Sequence, residues 1–95
     1  MAKGWRRVQV TPEIAERWLA TSRQKVVLHD KRDRFAAAIL AGEWDPALHV
    51  RDPVKLYQGA LINGNHRLRA VIAAGQPATM WVHALAEELA DVADG

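Results

Sequence analysis

Apolar and polar positions along the chain switch between the two-residue period of strands and the three-to-four-residue period of helices. Trp5-Arg6-Arg7-Val8-Gln9-Val10 reads as a short strand that stops at Thr11-Pro12. Thr11 suits a helix N-cap and Pro12 the first helical position. Ile14, Ala15, Trp18 and Leu19 then share one stripe, which predicts a helix ending near Ala20. Residues 21–29 form a basic connection with an extended apolar patch at Val26-Val27-Leu28. A second helix follows, capped by Asp30, with Phe35, Ala38, Ile39 and Leu40 or Ala41 inward, and Gly42 ends it.

Beyond Gly42 the pattern is mostly strand and turn. Ala47-Leu48-His49-Val50 is a predicted strand and Arg51-Asp52-Pro53 a turn. Val54-Lys55-Leu56-Tyr57 alternates, Gln58-Gly59 reverses the chain, and Ala60-Leu61-Ile62 returns. A third helix is predicted from about His66 to Ala74, with Leu68, Val71 and Ile72 as its stripe and Gly75 and Pro77 as its stop. Ala78–Val82 is the last strand. Leu85, Leu89 and Val92 are helically spaced in an acidic tail, which predicts a helix over 84–93. The order is β-α-α-β-β-β-α-β-α. The fold class is α/β (α+β): one small domain over 1–95 with a mixed sheet, three to four helices and a core within 8–83.

Composition narrows the classes. Ninety-five residues, 49% hydrophobic and 25% charged, suit one globular domain and argue against disorder. No apolar run reaches the roughly 20 residues of a bilayer span, so no membrane partner is expected. The basic start lacks the apolar stretch of a secretory signal, and a cytoplasmic location is expected. The absence of cysteine excludes a disulfide scaffold, a thiol nucleophile and a thiolate metal site. The net charge of +2 is unevenly spread: residues 1–34 carry nine Lys/Arg against four acids, and residues 35–95 four against seven. That asymmetry suits an anionic partner on one face.

The chemistry concentrates in Ile62-Asn63-Gly64-Asn65-His66-Arg67-Leu68-Arg69-Ala70, where a strand, a glycine turn and a helix start follow in succession. The first N–H groups of a helix are unpaired and lie at its positive end, which favours an anion such as phosphate. Gly64 would let backbone approach the ligand, the Gly64 and Asn65 backbone would face it, His66 would donate or orient, and Arg67 would grip oxygens with its planar fork. The bland alternative is a turn glycine followed by solvated arginines.

The same segment resembles a known family. Gly64-Asn65-His66-Arg67, continuing Leu68-Arg69-Ala70, is similar to the Gly-x-His-Arg box of the ParB/sulfiredoxin-like superfamily, and most similar to small ParB-like proteins of bacteriophages and mobile elements. Phe35–Ile39, Gly42 and Pro46–Val50 look like that superfamily's helix, glycine and Pro-x-x-Val strand. Val10–Ala15 with Trp18-Leu19, and Gly42-Glu43-Trp44, look like the phage branch, and Gly75 fits as well. The likeness covers about residues 8–83. It implies nucleotide phosphates at the box and a bacterial host cytoplasm.

The departures from the family are informative. In ParB proteins an acid after the glycine assists hydrolysis; here Asn65 stands there and cannot be a general base. In sulfiredoxins the residue before His-Arg is the catalytic cysteine, so that activity is excluded. The helix-turn-helix and dimerisation segments of full ParB proteins find no room in the few residues after His83. Binding is therefore favoured over hydrolysis or nuclease action, with His66 the one catalytic candidate.

The expected ligand is a nucleotide or nucleic-acid backbone at Gly64, Asn65, His66 and Arg67, with Arg32, Arg34 and Arg69 extending the positive field. A nucleotide is the one candidate cofactor. The alternative is a non-catalytic module acting on a host or phage protein through Trp81, Leu85 and Leu89, or a homodimer through the tail. No metal site is expected. His29, His49, His66 and His83 lack ligand spacing, although His49 and His83 could converge on His66 in the fold, and the central acids Glu43, Asp45 and Asp52 sit in turns.

Overall fold

Alternation along the strands sets the architecture. The structure, a computed structural model, describes residues 3–22, 28–49 and 51–85. Four strands, β1 (Lys3–Val10), β2 (Val54–Tyr57), β3 (Ala60–Asn63) and β4 (Ala78–Leu85), form one mixed sheet in the order β1-β4-β2-β3. β1 runs antiparallel to β4 from Lys3 opposite Leu85 to Val10 opposite Ala78, and β2 runs parallel to β4. Val8, Val10, Val54, Leu56, Ala78, Met80, Val82 and Ala84 all turn one way and are buried. With period two, the intervening residues must face the opposite side of the sheet.

Helices α1 (Pro12–Leu19), α2 (His29–Leu40) and α3 (Asn65–Ala74) supply the rest of the core through Ala15, Trp18, Ala36, Ile39, Leu68, Ala70 and Val71. α3 is the central helix and packs on both α1 and α2. The Cα radius of gyration is 12.3 Å, close to the roughly 13 Å of a 100-residue domain. No helix among the described residues is long and apolar enough to cross a membrane.

Local signals act where the sequence places them in two cases. Thr11 caps α1, its Oγ1 accepting from the Ile14 N–H at 3.2 Å, with Pro12 in the first turn. Tyr57 pairs with Ala60 across a two-residue Gln58-Gly59 loop whose φ values are +51° and +80°. Positive φ at both central residues matches the twist of a hairpin.

Four expectations are corrected. Ala47–Val50 is not a strand: Pro46–His49 is a 3-10 turn, and Val50 lies outside the described residues. Asp45 Oδ1 accepts the Ala47 N–H at 3.0 Å, an Asx turn that opens this segment, and the Trp44 Nε1–H donates to the Thr79 carbonyl of β4 at 2.9 Å. The N-cap of α2 is Leu28, not Asp30, which falls in the first turn where its charge still complements the helix dipole. Leu40 and Ala41 are exposed; Ala36 and Ile39 form the buried side of α2. Leu85 closes β4 in register with Lys3, so a helix cannot begin at 84. Leu89, Val92 and the rest of the expected tail helix lie outside the described residues, as do Val26 and Val27.

Candidate functional site

The Gly64–Arg67 box lies where β3 hands the chain to α3. Gly64 is the N-cap, at φ +107°, and has no side chain with which to cap the helix. Its lack of a Cβ serves packing: a Cβ there would lie 2.8 Å from Val54 Cγ2 and 3.3 Å from Val54 Cα. Packing against β2 therefore requires the glycine, which also lines the cavity described next. Asn65, His66 and Arg67 form the first turn, and all three are buried.

A cavity of about 330 Å³ opens at this turn, lined by Gly64, Asn65, His66 and Arg67 together with Leu28, Lys31, Phe35, His49, Asp52 and Asn63. Its size is at the lower end of the range for small-molecule sites. The Arg67 side chain is 5% exposed and faces Asp52, 73% exposed, across 3.7 Å. Burial pushes the guanidinium pKa below its ordinary value, and Asp52 offsets this only in part. Asp52 also accepts from Asn63 Nδ2 at 2.7 Å, and the same amide donates to the Pro53 carbonyl at 2.8 Å.

His66 is anchored by a backbone contact. Its Nε2 accepts the Leu28 N–H at 2.9 Å, tying α3 to the start of α2. The neutral ring therefore carries its proton on Nδ1. Burial lowers the His66 pKa, and the Lys31 and Arg69 charges push in the same direction. His49 is also held low, by burial first and then by Arg67. Its ring stacks on Trp44 at 4.8 Å and meets Phe35 edge-on at 5.6 Å, which makes an aromatic wall beside the cavity.

The remaining candidates separate. Asn65 uses its amide internally: Nδ2 donates to Ser22 Oγ at 3.2 Å and Oδ1 accepts from Arg69 Nε at 2.8 Å. Arg69 is thereby directed along its own helix and away from the cavity. Arg32 pairs with Asp33 at 3.0 Å, and Arg34 is exposed on α2; neither lines the cavity. Trp81 lies on β4 facing away from the core, with Arg7 over its ring at 6.0 Å. Leu85 ends that strand, and Leu89 is outside the described residues.

Of the histidines, His49 joins His66 at the cavity, whereas His83 does not. Among the described residues no group of three or more His, Asp or Glu is placed to hold a metal ion. Sequence reasoning missed Lys31 as a cavity residue. No local signal marks it: Lys31 reaches the cavity because it lies one helical turn after Leu28, whose N–H His66 accepts across 38 residues of chain.

No protein family, curated protein or solved structure matches the chain.

Proposed function

We propose that this chain is a small ParB-like protein of the phage or mobile-element type that holds a phosphate-bearing ligand, a nucleotide or a stretch of nucleic-acid backbone, at the Gly64–Arg67 turn. The observation that carries this reading is the convergence of Lys31, Arg67 and the start of α3 on one polar cavity where Asp52, the one acid among the described lining residues, is largely in water. The Arg67 guanidinium stands at the cavity beside a carboxylate that is itself largely in water, and a ligand oxyanion there would meet its positive charge. The first-turn amides and the Lys31 charge favour the same guest. Binding is favoured over hydrolysis because Asn65 stands where a carboxylate would be needed and its amide is engaged with Ser22 and Arg69.

Calorimetric titration with inorganic phosphate, pyrophosphate, nucleotides and short DNA and RNA tests this. At least one phosphate compound should bind. Arg67→Lys, which keeps the charge and loses the fork, should weaken it about tenfold, in line with the value of a charge-assisted bidentate pair. A folded protein that binds none of these at millimolar concentration in low salt overturns the proposal.

A further inference from the structure

The sheet has a second side that the cavity does not use. Its core-facing residues are apolar, and the alternate positions Arg7, Gln9, Lys55, Thr79, Trp81 and His83 turn outward, half-buried or exposed. Arg7 stands opposite Trp81, and Lys55 opposite His83, so cations flank aromatic rings across three neighbouring strands. The Arg7 guanidinium lies 6.0 Å from the Trp81 ring centre. No Asp or Glu stands in any of the four strands, while Lys3, Arg6, Arg7 and Lys55 do. Among the described residues of the outward face the charged ones are Arg7 and Lys55, both cations, whereas Arg6 shares the parity of the core-facing Val8 and Val10. At the start of β4, before it meets β2, Arg7 and Thr79 of this face share a groove of about 280 Å³ with Trp44, Pro46 and Ile39.

We infer that this face binds single-stranded nucleic acid, separately from the cavity at Gly64–Arg67. Flat rings on an open sheet accept bases by stacking, and cations beside them track the phosphates. Trp81 and His83 are two residues apart on one strand, roughly 6.6 Å by strand geometry, close to the step between successive bases of an extended strand. Trp81 is the stacking platform, and Arg7 and Lys55 are the backbone contacts. Duplex DNA fits poorly, because its bases are already stacked and no described strand projects into a groove. An acidic peptide would satisfy the charges but bring no planar group to stack on Trp81.

Fluorescence anisotropy with a labelled oligo-dT and its oligo-U equivalent, at low salt, tests the inference. One or both should bind more tightly than a duplex of equal length. Trp81→Leu should weaken binding about tenfold or more, as expected for the loss of one base–aromatic stack. Arg7→Gln with Lys55→Gln should lower the salt slope by about 1.4, the loss of two phosphate contacts on a single strand. Inorganic phosphate and free nucleotide, probes for the cavity, should not displace the oligomer, so the two sites fail or succeed independently. The inference is overturned by no oligonucleotide binding, by equal affinity for duplex, by full affinity in a folded Trp81→Leu protein, or by an acidic peptide binding this face where oligonucleotides do not.

Discussion

Gly64→Ala tests the reasoning about the box most directly, because the geometry supplies two separate penalties. The added Cβ meets Val54 Cγ2 at 2.8 Å and the Val54 Cα and Cβ at 3.3 Å. Val54 is fully buried in β2, between β3 and β4, so its backbone cannot retreat. Overpacking of this kind costs about 1–3 kcal/mol. The φ of +107° adds about 1–2 kcal/mol for any residue with a Cβ. The expected loss is therefore about 2–5 kcal/mol, a large part of the roughly 5–14 kcal/mol available to a chain of this length. Urea unfolding at neutral pH measures it. A double-mutant cycle with Val54→Ala separates the terms: removing the Val54 methyls removes the 2.8 Å contact and leaves the 3.3 Å contacts and the backbone strain. The double variant should thus be more stable than the sum of the single effects, by up to about 3 kcal/mol. Simple additivity, or a Gly64→Ala protein within about 0.5 kcal/mol of wild type, would refute the claim that β2 dictates this glycine.

Other outcomes follow from the cavity and its surroundings. His66 and His49 have folded-state pKa values below their ordinary value, so the folded protein resists their protonation. Their contribution should be intact above the unfolded-state value near 6.5 and fall away as pH drops below it, since the unfolded chain then takes up protons that the folded one refuses. Urea midpoints at pH 8, 7, 6 and 5 should show the decline, and His66→Gln with His49→Asn should flatten it. Asp52→Asn removes the carboxylate beside Arg67; a charge about 6 Å from a bound anion in near-aqueous surroundings is worth roughly 0.7 kcal/mol, so phosphate affinity should rise about threefold in the same titration, and a decrease would argue against an anion at that position. Gln58→Asn should stabilise the β2–β3 hairpin by up to about 1 kcal/mol, because Asn tolerates positive φ better than Gln, and a calorimetric Tm higher by about 4–8 °C per kcal/mol would register it. Thr11→Ala should cost about 1 kcal/mol through the lost cap of α1, read by urea unfolding.

Periodicity alone located the three helices and all four strands, because each carries a strong local pattern: the Ile14/Ala15/Trp18 stripe, the alternation of Val54 to Tyr57, and the Leu68/Val71 stripe ended by Gly75. It failed at Pro46–His49, where an apolar run of four residues fits strand and turn equally well. There Asp45 Oδ1 accepts the Ala47 N–H and opens the turn, a local signal the alternation hid, and Trp44 donates to the Thr79 carbonyl thirty-five residues away. It failed again at Leu85, whose helical spacing with Leu89 was outweighed by pairing with β1 over eight registered positions. The box was legible as a glycine turn opening a helix.

The sequence by itself determined the mixed α and β composition, the ends of α1 and α3, and the presence of Gly64, Asn65, His66 and Arg67 at one helix start, since these depend on residues within a turn or two of one another. Tertiary structure alone decided that Lys31, His49 and Asp52 share a cavity with that turn and that Arg32, Arg34 and Arg69 do not. It also decided that Gly64 is glycine for the sake of Val54, and that His66 spends its Nε2 on the Leu28 amide. The physical reason is common to all of these. Each depends on a distance between residues far apart in the chain, and such distances exist only once burial of the shared core has brought the elements together.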